Sequence, residues 1–165
     1  MKELINWQEA LVVQKDSRNG AIPAGYEWMA KFNQIDGIDF DKFQEDFNLK
    51  AKGEGENKFE TVAEAVAKKY PQLKIKCKSF PSGQEKVAFI RALLERNIPC
   101  MLSFSLSSKQ AVTHEMPVTS CDRLYMRLVW RVEEGKTPDM LRAALDDIIY
   151  RHNNWDGGKE IAWLE

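Results

Sequence analysis

Apolar positions recur at helical spacing through the first part of the chain and at strand spacing through much of the second. Pro23 to Phe32 (PAGYEWMAKF) reads as a helix, with Pro23 in the first turn, where a missing N–H costs nothing. Phe40, Phe43 and Phe47 share one helical face behind Asp39, a residue type that caps helix starts. Phe59, Val62, Ala63, Val66 and Ala67 form the stripe of an amphipathic helix from Phe59 to Tyr70, which Pro71 stops. Leu73, Ile75 and Cys77 alternate with lysines up to Phe80, the pattern of a half-buried strand. Ser82 and Glu85 make a capping-box pair at the head of another helix, whose core face is Val87, Ile90, Ala92, Leu93 and Leu94. Ile98 to Leu106 is a nearly continuous apolar run and predicts a central strand. Val112–Ser120 and Leu124–Val132 flank the tight segment Cys121-Asp122-Arg123 and predict an antiparallel hairpin. Pro138 to Tyr150 reads as a helix with Leu141, Ala144, Leu145, Ile148 and Ile149 inward. A turn at Gly157 and Gly158 precedes a last strand, Glu160 to Leu164. Helices first and strands late imply an α+β domain over residues 1–165. Its helical N-terminal part packs on one side of a mainly antiparallel sheet.

Composition narrows the partners. The 165 residues carry a formal charge of -1, which offers no broad electrostatic footprint for nucleic acid. Cys77, Cys100 and Cys121 are an odd set without zinc-ligand spacing, so reduced thiols are expected rather than a disulfide framework or a metal site. The first residues, MKELINWQEALVVQ, lack the apolar core of a signal peptide, and no stretch reaches the ~20 apolar residues of a membrane span. The expectation is a cytoplasmic protein without membrane insertion. Phosphate-loop and dinucleotide-binding glycine patterns do not occur, and no cofactor is expected. Lys50 to Asn57 (KAKGEGEN) has the composition of a mobile loop.

Two segments carry candidate chemistry: Gln14–Trp28 (QKDSRNGAIPAGYEW) and Val112–Cys121 (VTHEMPVTSC). Together they resemble the papain-like cysteine peptidases, in particular the small bacterial branch that removes bacteriocin leader peptides (double-glycine peptidases). The resemblance implies a papain-like fold and hydrolysis, or acyl transfer, at a peptide or isopeptide bond of a peptide or protein substrate. The family places a glutamine shortly before a nucleophilic cysteine that opens a helix, and later a histidine heading a strand. Gln14 then corresponds to the oxyanion-stabilising residue, Ala21 to the nucleophile position and His114 to the general base. One residue more than usual separates Gln14 from the elbow. The chemistry itself is physical: a thiol attacks only as thiolate, and unpaired N–H groups at a helix start stabilise that anion. Backbone and amide donors there would form an oxyanion hole, and a distant histidine completes a thiolate–imidazolium pair.

Alanine at position 21 cannot attack. Either a cysteine-to-alanine change was engineered here, or the protein is a natural pseudopeptidase that binds an extended peptide or partner protein without cutting it. The third catalytic member is also missing. The family has aspartate or asparagine opposite the histidine, where this chain has Trp130, Arg131 and Val132, so Glu133 would serve as orienter only through a bulge. Asp122 fits a turn role and His152 a helix C-terminal charge. Cys100 fits a core thiol, Cys121 lies too far along the strand from His114 to serve as nucleophile, and the aromatic stripe from Tyr26 to Phe47 fits a core.

Overall fold

A computed structural model describes residues 1–16, 20–49, 58–109 and 112–165, and the expected loop at 50–57 lies outside them. Among the described residues the elements are β1 (Lys2–Glu3), α1 (Ala21–Phe32), α2 (Phe40–Asp46), α3 (Phe59–Lys69), β2 (Lys76–Ser79), α4 (Gly83–Glu95), β3 (Cys100–Ser105), β4 (Thr113–Cys121), β5 (Tyr125–Arg131), β6 (Asp139–Ala144), α5 (Leu145–Asn154) and β7 (Glu160–Trp163). The strands form one antiparallel sheet in the order β2-β7-β3-β4-β5-β6, with β1 paired to β4. The architecture is α+β.

Local signals explain most of these elements. The Asp39 carboxylate accepts the Asp41 N–H at 3.2 Å, and Ser82 Oγ accepts the Glu85 N–H at 3.2 Å, so both caps satisfy a first-turn donor. Every residue of β3 is buried, as its unbroken apolar run demands of a central strand. Asp122 Oδ1 accepts the N–H groups of Leu124 and Tyr125 at 2.8 and 2.7 Å and closes the β4–β5 hairpin. Phe43, Phe47, Tyr26 and Trp28 are buried in the core, with Phe32 and Phe40 packed against it. On α3 the stripe ends at Val66, and Ala67 is exposed, as is Ala92 on α4.

The expected helix from Pro138 is instead two elements. Residues 139–144 pair with β5, in register Leu128↔Leu141 and Tyr125↔Ala144, and only Leu145 begins α5. Leu141, Ala143 and Leu145 alternate as well as they satisfy helical spacing, and β5 offers an unpaired edge. The ladder outweighs the helix propensity of Met, Leu, Arg and Ala. The strand expected from Leu73 is confined to four residues, and β1 was not anticipated.

Helices cover both faces of the sheet rather than one. A Cβ at Gly25 of α1 would overlap Met101 Sδ, so α1 rests on the face to which Met101 points. Successive strand residues point to opposite faces. Phe104 therefore belongs to the other face, where the Arg151 guanidinium of α5 lies 4.8 Å from its ring. Tyr26 Oη of α1 donates to the Phe59 carbonyl of α3 at 2.7 Å, which ties α3 to the α1 face.

Candidate functional site

Residue 21 opens α1, as the sequence implies, with Gly20 as N-cap and no side-chain cap. Gly20 is constrained by closeness: a Cβ there would stand 2.6 Å from the Asp16 carbonyl oxygen. The segment at residues 13–15 before it is tied to Val132, just past β5, and to α2. Gln14 N–H donates to the Val132 carbonyl at 3.1 Å, and the Gln44 side chain accepts from Lys15 N–H at 2.9 Å and donates to the Val13 carbonyl at 2.7 Å. Gln44 also lies 3.5 Å from Glu27, a carboxylate almost wholly buried in α1 and paired with Lys31 at 3.1 Å. The helix start and the Gln14 segment are thereby fixed against the end of β5.

Between them lies a cavity of about 30 Å³, bordered by Gln14, Ala21, Trp28, Glu115 and Arg131 with apolar walls from Pro117 and Val129. The structure thus brings Gln14 and Ala21 together. Gln14 Nε2 donates to the Asp16 carbonyl at 2.7 Å. Glu115 Oε1 accepts from the Thr113 hydroxyl at 3.2 Å.

His114 does not border this cavity. Its neighbours Glu115 and Pro117 do, and alternation along β4 turns His114 to the opposite face. There it is register partner of Phe104, and its ring stacks on Trp130 with centroids 4.3 Å apart and planes 4° from parallel. Its Nε2 is buried without a partner among the described residues. Burial lowers its pKa below the ordinary 6.5, a hydrogen bond with the Trp130 backbone opposes this, and the nearby Arg131 charge adds to the lowering.

The remaining candidates are placed as follows. Glu133 directs its carboxylate to Lys136 at 2.9 Å and Arg131 at 3.5 Å, and the hydrogen bond from Lys136 is the main cause of its lowered pKa. All three cysteines are free. Burial raises the thiol pKa of Cys100 and Cys121 and pushes Cys77 up to about 11, so each is a poor thiolate. His152 sits in the last turn of α5 but cannot serve as a dipole-complementing cation. It is buried and hydrogen-bonded through Nε2 to the Phe80 carbonyl at 2.9 Å, and desolvation with neighbouring Lys86 lowers its pKa to about 4. Among the described residues no group of three or more His, Cys, Asp or Glu side chains is arranged to hold a metal ion, and no helix is long and apolar enough to cross a membrane.

Sequence reasoning missed Glu115, Trp28 and Arg131 as cavity residues. Alternation separates His114 from Glu115, but the sequence does not say which of the two faces α1. The chain matches no protein-family model, and no curated protein is significantly similar to it.

Proposed function

We propose that this protein is a binding module, which holds a short peptide at the α1–β4 cavity without cleaving it. One observation carries the reading: Gln14 and Ala21 share a cavity with Glu115, while the imidazole of His114, turned to the other face of the sheet, stacks on Trp130, itself a border residue of that cavity. A carboxylate at that strand position accepts a peptide N–H, the Gln14 segment lies beside it, and the space of about 30 Å³ between the apolar walls admits no more than a methyl-sized group. The residue-21 side chain has no nucleophile to offer. The rival reading is the cysteine peptidase itself, with cysteine native at position 21. What favours it is the helix-start position, where a thiolate would be stabilised.

Ala21→Cys separates the two. With short peptides and isopeptides as substrates, the binding reading expects no turnover above the alanine form. Hydrolysis by the cysteine variant that Gln14→Ala suppresses would overturn it in favour of the enzyme. Binding itself is read from the fluorescence of Trp28 during titration with glycine- and alanine-containing tetrapeptides. Ala21→Leu, which fills the cavity, is expected to abolish the signal change, and an unchanged titration would remove the cavity from the proposal.

A further inference from the structure

A second concavity lies on the α1 face of the sheet, on the other side of the N-terminal segment. Glu3, Ser120, Arg127 and Arg142 are successive register partners across β1, β4, β5 and β6, so their side chains form one row on one face. Arg127 and Arg142 stand directly opposite each other, an arrangement in which like charges repel. Both are exposed, and neither has an ion-pair partner among the described residues. The Arg142 guanidinium lies over the Tyr125 ring, 3.6 Å from its centroid, which orients the group, and the Asp122 carboxylate of the hairpin turn is near enough to feel its charge without forming an ion pair with it. Glu3, the row's carboxylate, is two strands from Arg127, about 10 Å away at ~4.8 Å per strand. It accepts instead from the Trp7 indole N–H at 3.3 Å.

The backbone is shaped toward the same spot. Between Val118 and Ser120 the register of β4 shifts by one residue against β5, and the Thr119 hydroxyl donates to the Arg127 carbonyl at 3.3 Å. Bulges of this kind re-aim a side chain, and here the re-aimed residue is Ser120. Ser120 is 4 % exposed, and its hydroxyl bonds no described residue. Over the row lies a cavity of about 290 Å³, walled on its apolar side by Trp7 and Met140. Met140 stays 41 % exposed there.

We propose that Arg127, Arg142 and Ser120 form a binding site for a small organic oxyanion, a carboxylate or phosphate monoester carrying an apolar group. An anion between the two guanidiniums turns their mutual repulsion into two charge-assisted contacts, and the planar arginine fork suits either headgroup. The Ser120 hydroxyl supplies a neutral donor. The apolar group rests against Trp7 and Met140, and the volume has room for at least a single aromatic ring.

Phenyl phosphate, benzoate and inorganic phosphate are titrated into the full chain, followed by calorimetry and by the Trp7 indole resonance. At least one aromatic anion is expected to saturate the site, and the tighter of the two identifies the headgroup. Inorganic phosphate is expected to bind about tenfold more weakly, for want of the apolar contact. Arg127→Met and Arg142→Met are each expected to weaken binding by about tenfold or more while raising the melting temperature of the unliganded protein, since each relieves the repulsion. That thermal gain also certifies the fold of the variants. The proposal is overturned if neither aromatic anion binds below about 10 mM, a threshold already weaker than most specific sites, if binding survives either arginine substitution, or if Ala21→Leu abolishes it. Failure of peptide binding at the other cavity leaves these outcomes intact, so the two readings fail separately.

Discussion

An imidazole packed face to face on an indole, with one ring nitrogen out of reach of water, resists protonation. His114 is in that position, and its charge state tests its role better than a loss of activity would. In a thiolate–imidazolium pair the partner anion holds the imidazole protonated and raises its pKa. Burial without such a partner does the opposite, and the direction found here is downward from 6.5. The expected NMR titration of His114 therefore has its midpoint below the ordinary histidine value, with the same midpoint in Ala21→Cys. A midpoint that climbs above 6.5 on introducing the thiol would show that the ring reaches residue 21 and would return His114 to the catalytic set.

Elements were legible wherever one local signal dominated. Ser82 with Glu85, Asp39 before Phe40, and the apolar run of β3 each declare themselves within a few residues, and the structure keeps all three. Legibility ended where two patterns overlapped or where a partner decided the outcome. Residues 139–144 fit a helix and a strand alike, and the open edge of β5 settled the matter. Which face of β4 meets α1 depends on how the helix docks through Gly25 and Met101, a contact between residues 76 positions apart in sequence (101 minus 25) that no window of local pattern contains. Hence the family resemblance, and not any local pattern, grouped Gln14, Ala21 and His114; the first two border one cavity, and the His114 ring lies on the other face. The Gly157–Gly158 turn was legible for a conformational reason. Both residues have positive φ, 77° and 66°, and a Cβ on Gly158 would come within 2.7 Å of the Ser105 backbone nitrogen. Gly158→Ala is expected to destabilise the protein by about 2 kcal/mol or more, from backbone strain and the clash together. Chemical denaturation would measure the loss. A variant within about 0.5 kcal/mol of the parent, the range of ordinary surface substitutions, would mean that the turn relaxes freely.

The same turn connects to a buried cationic cluster that sets how the whole molecule responds to pH. Lys86 is 1 % exposed, and its ammonium donates to the carbonyls of Ser103 at 2.8 Å and Gly158 at 2.5 Å. Lys159 reaches the carbonyls of His152 and Trp155 nearby, and His152 completes the group. No carboxylate among the described residues pairs with Lys86, so desolvation first and the Lys159 charge second lower its pKa from 10.5 to about 7. A neutral amine still has two N–H donors, enough for both carbonyls, so deprotonation removes a buried charge without breaking either bond. Between about pH 7 and 10.5 the unfolded chain holds the Lys86 proton and the folded chain does not, and stability rises with pH across that window. His152, lowered from 6.5 to about 4, acts in the same sense at lower pH, because the folded protein must bury its charge or unfold as acid is added. The urea midpoint is therefore expected to rise from pH 6.5 to pH 8, inside the Lys86 window and below the range where the unfolded chain's thiols ionise while the three of the folded protein, raised by desolvation, keep their protons and act in the opposite sense. In Lys86→Met the rise should flatten whatever the variant's absolute stability, since the two abandoned carbonyls shift the curve at all pH values alike. A parent midpoint that is level or falling over this range would show that Lys86 is compensated by a charge the fold keeps elsewhere.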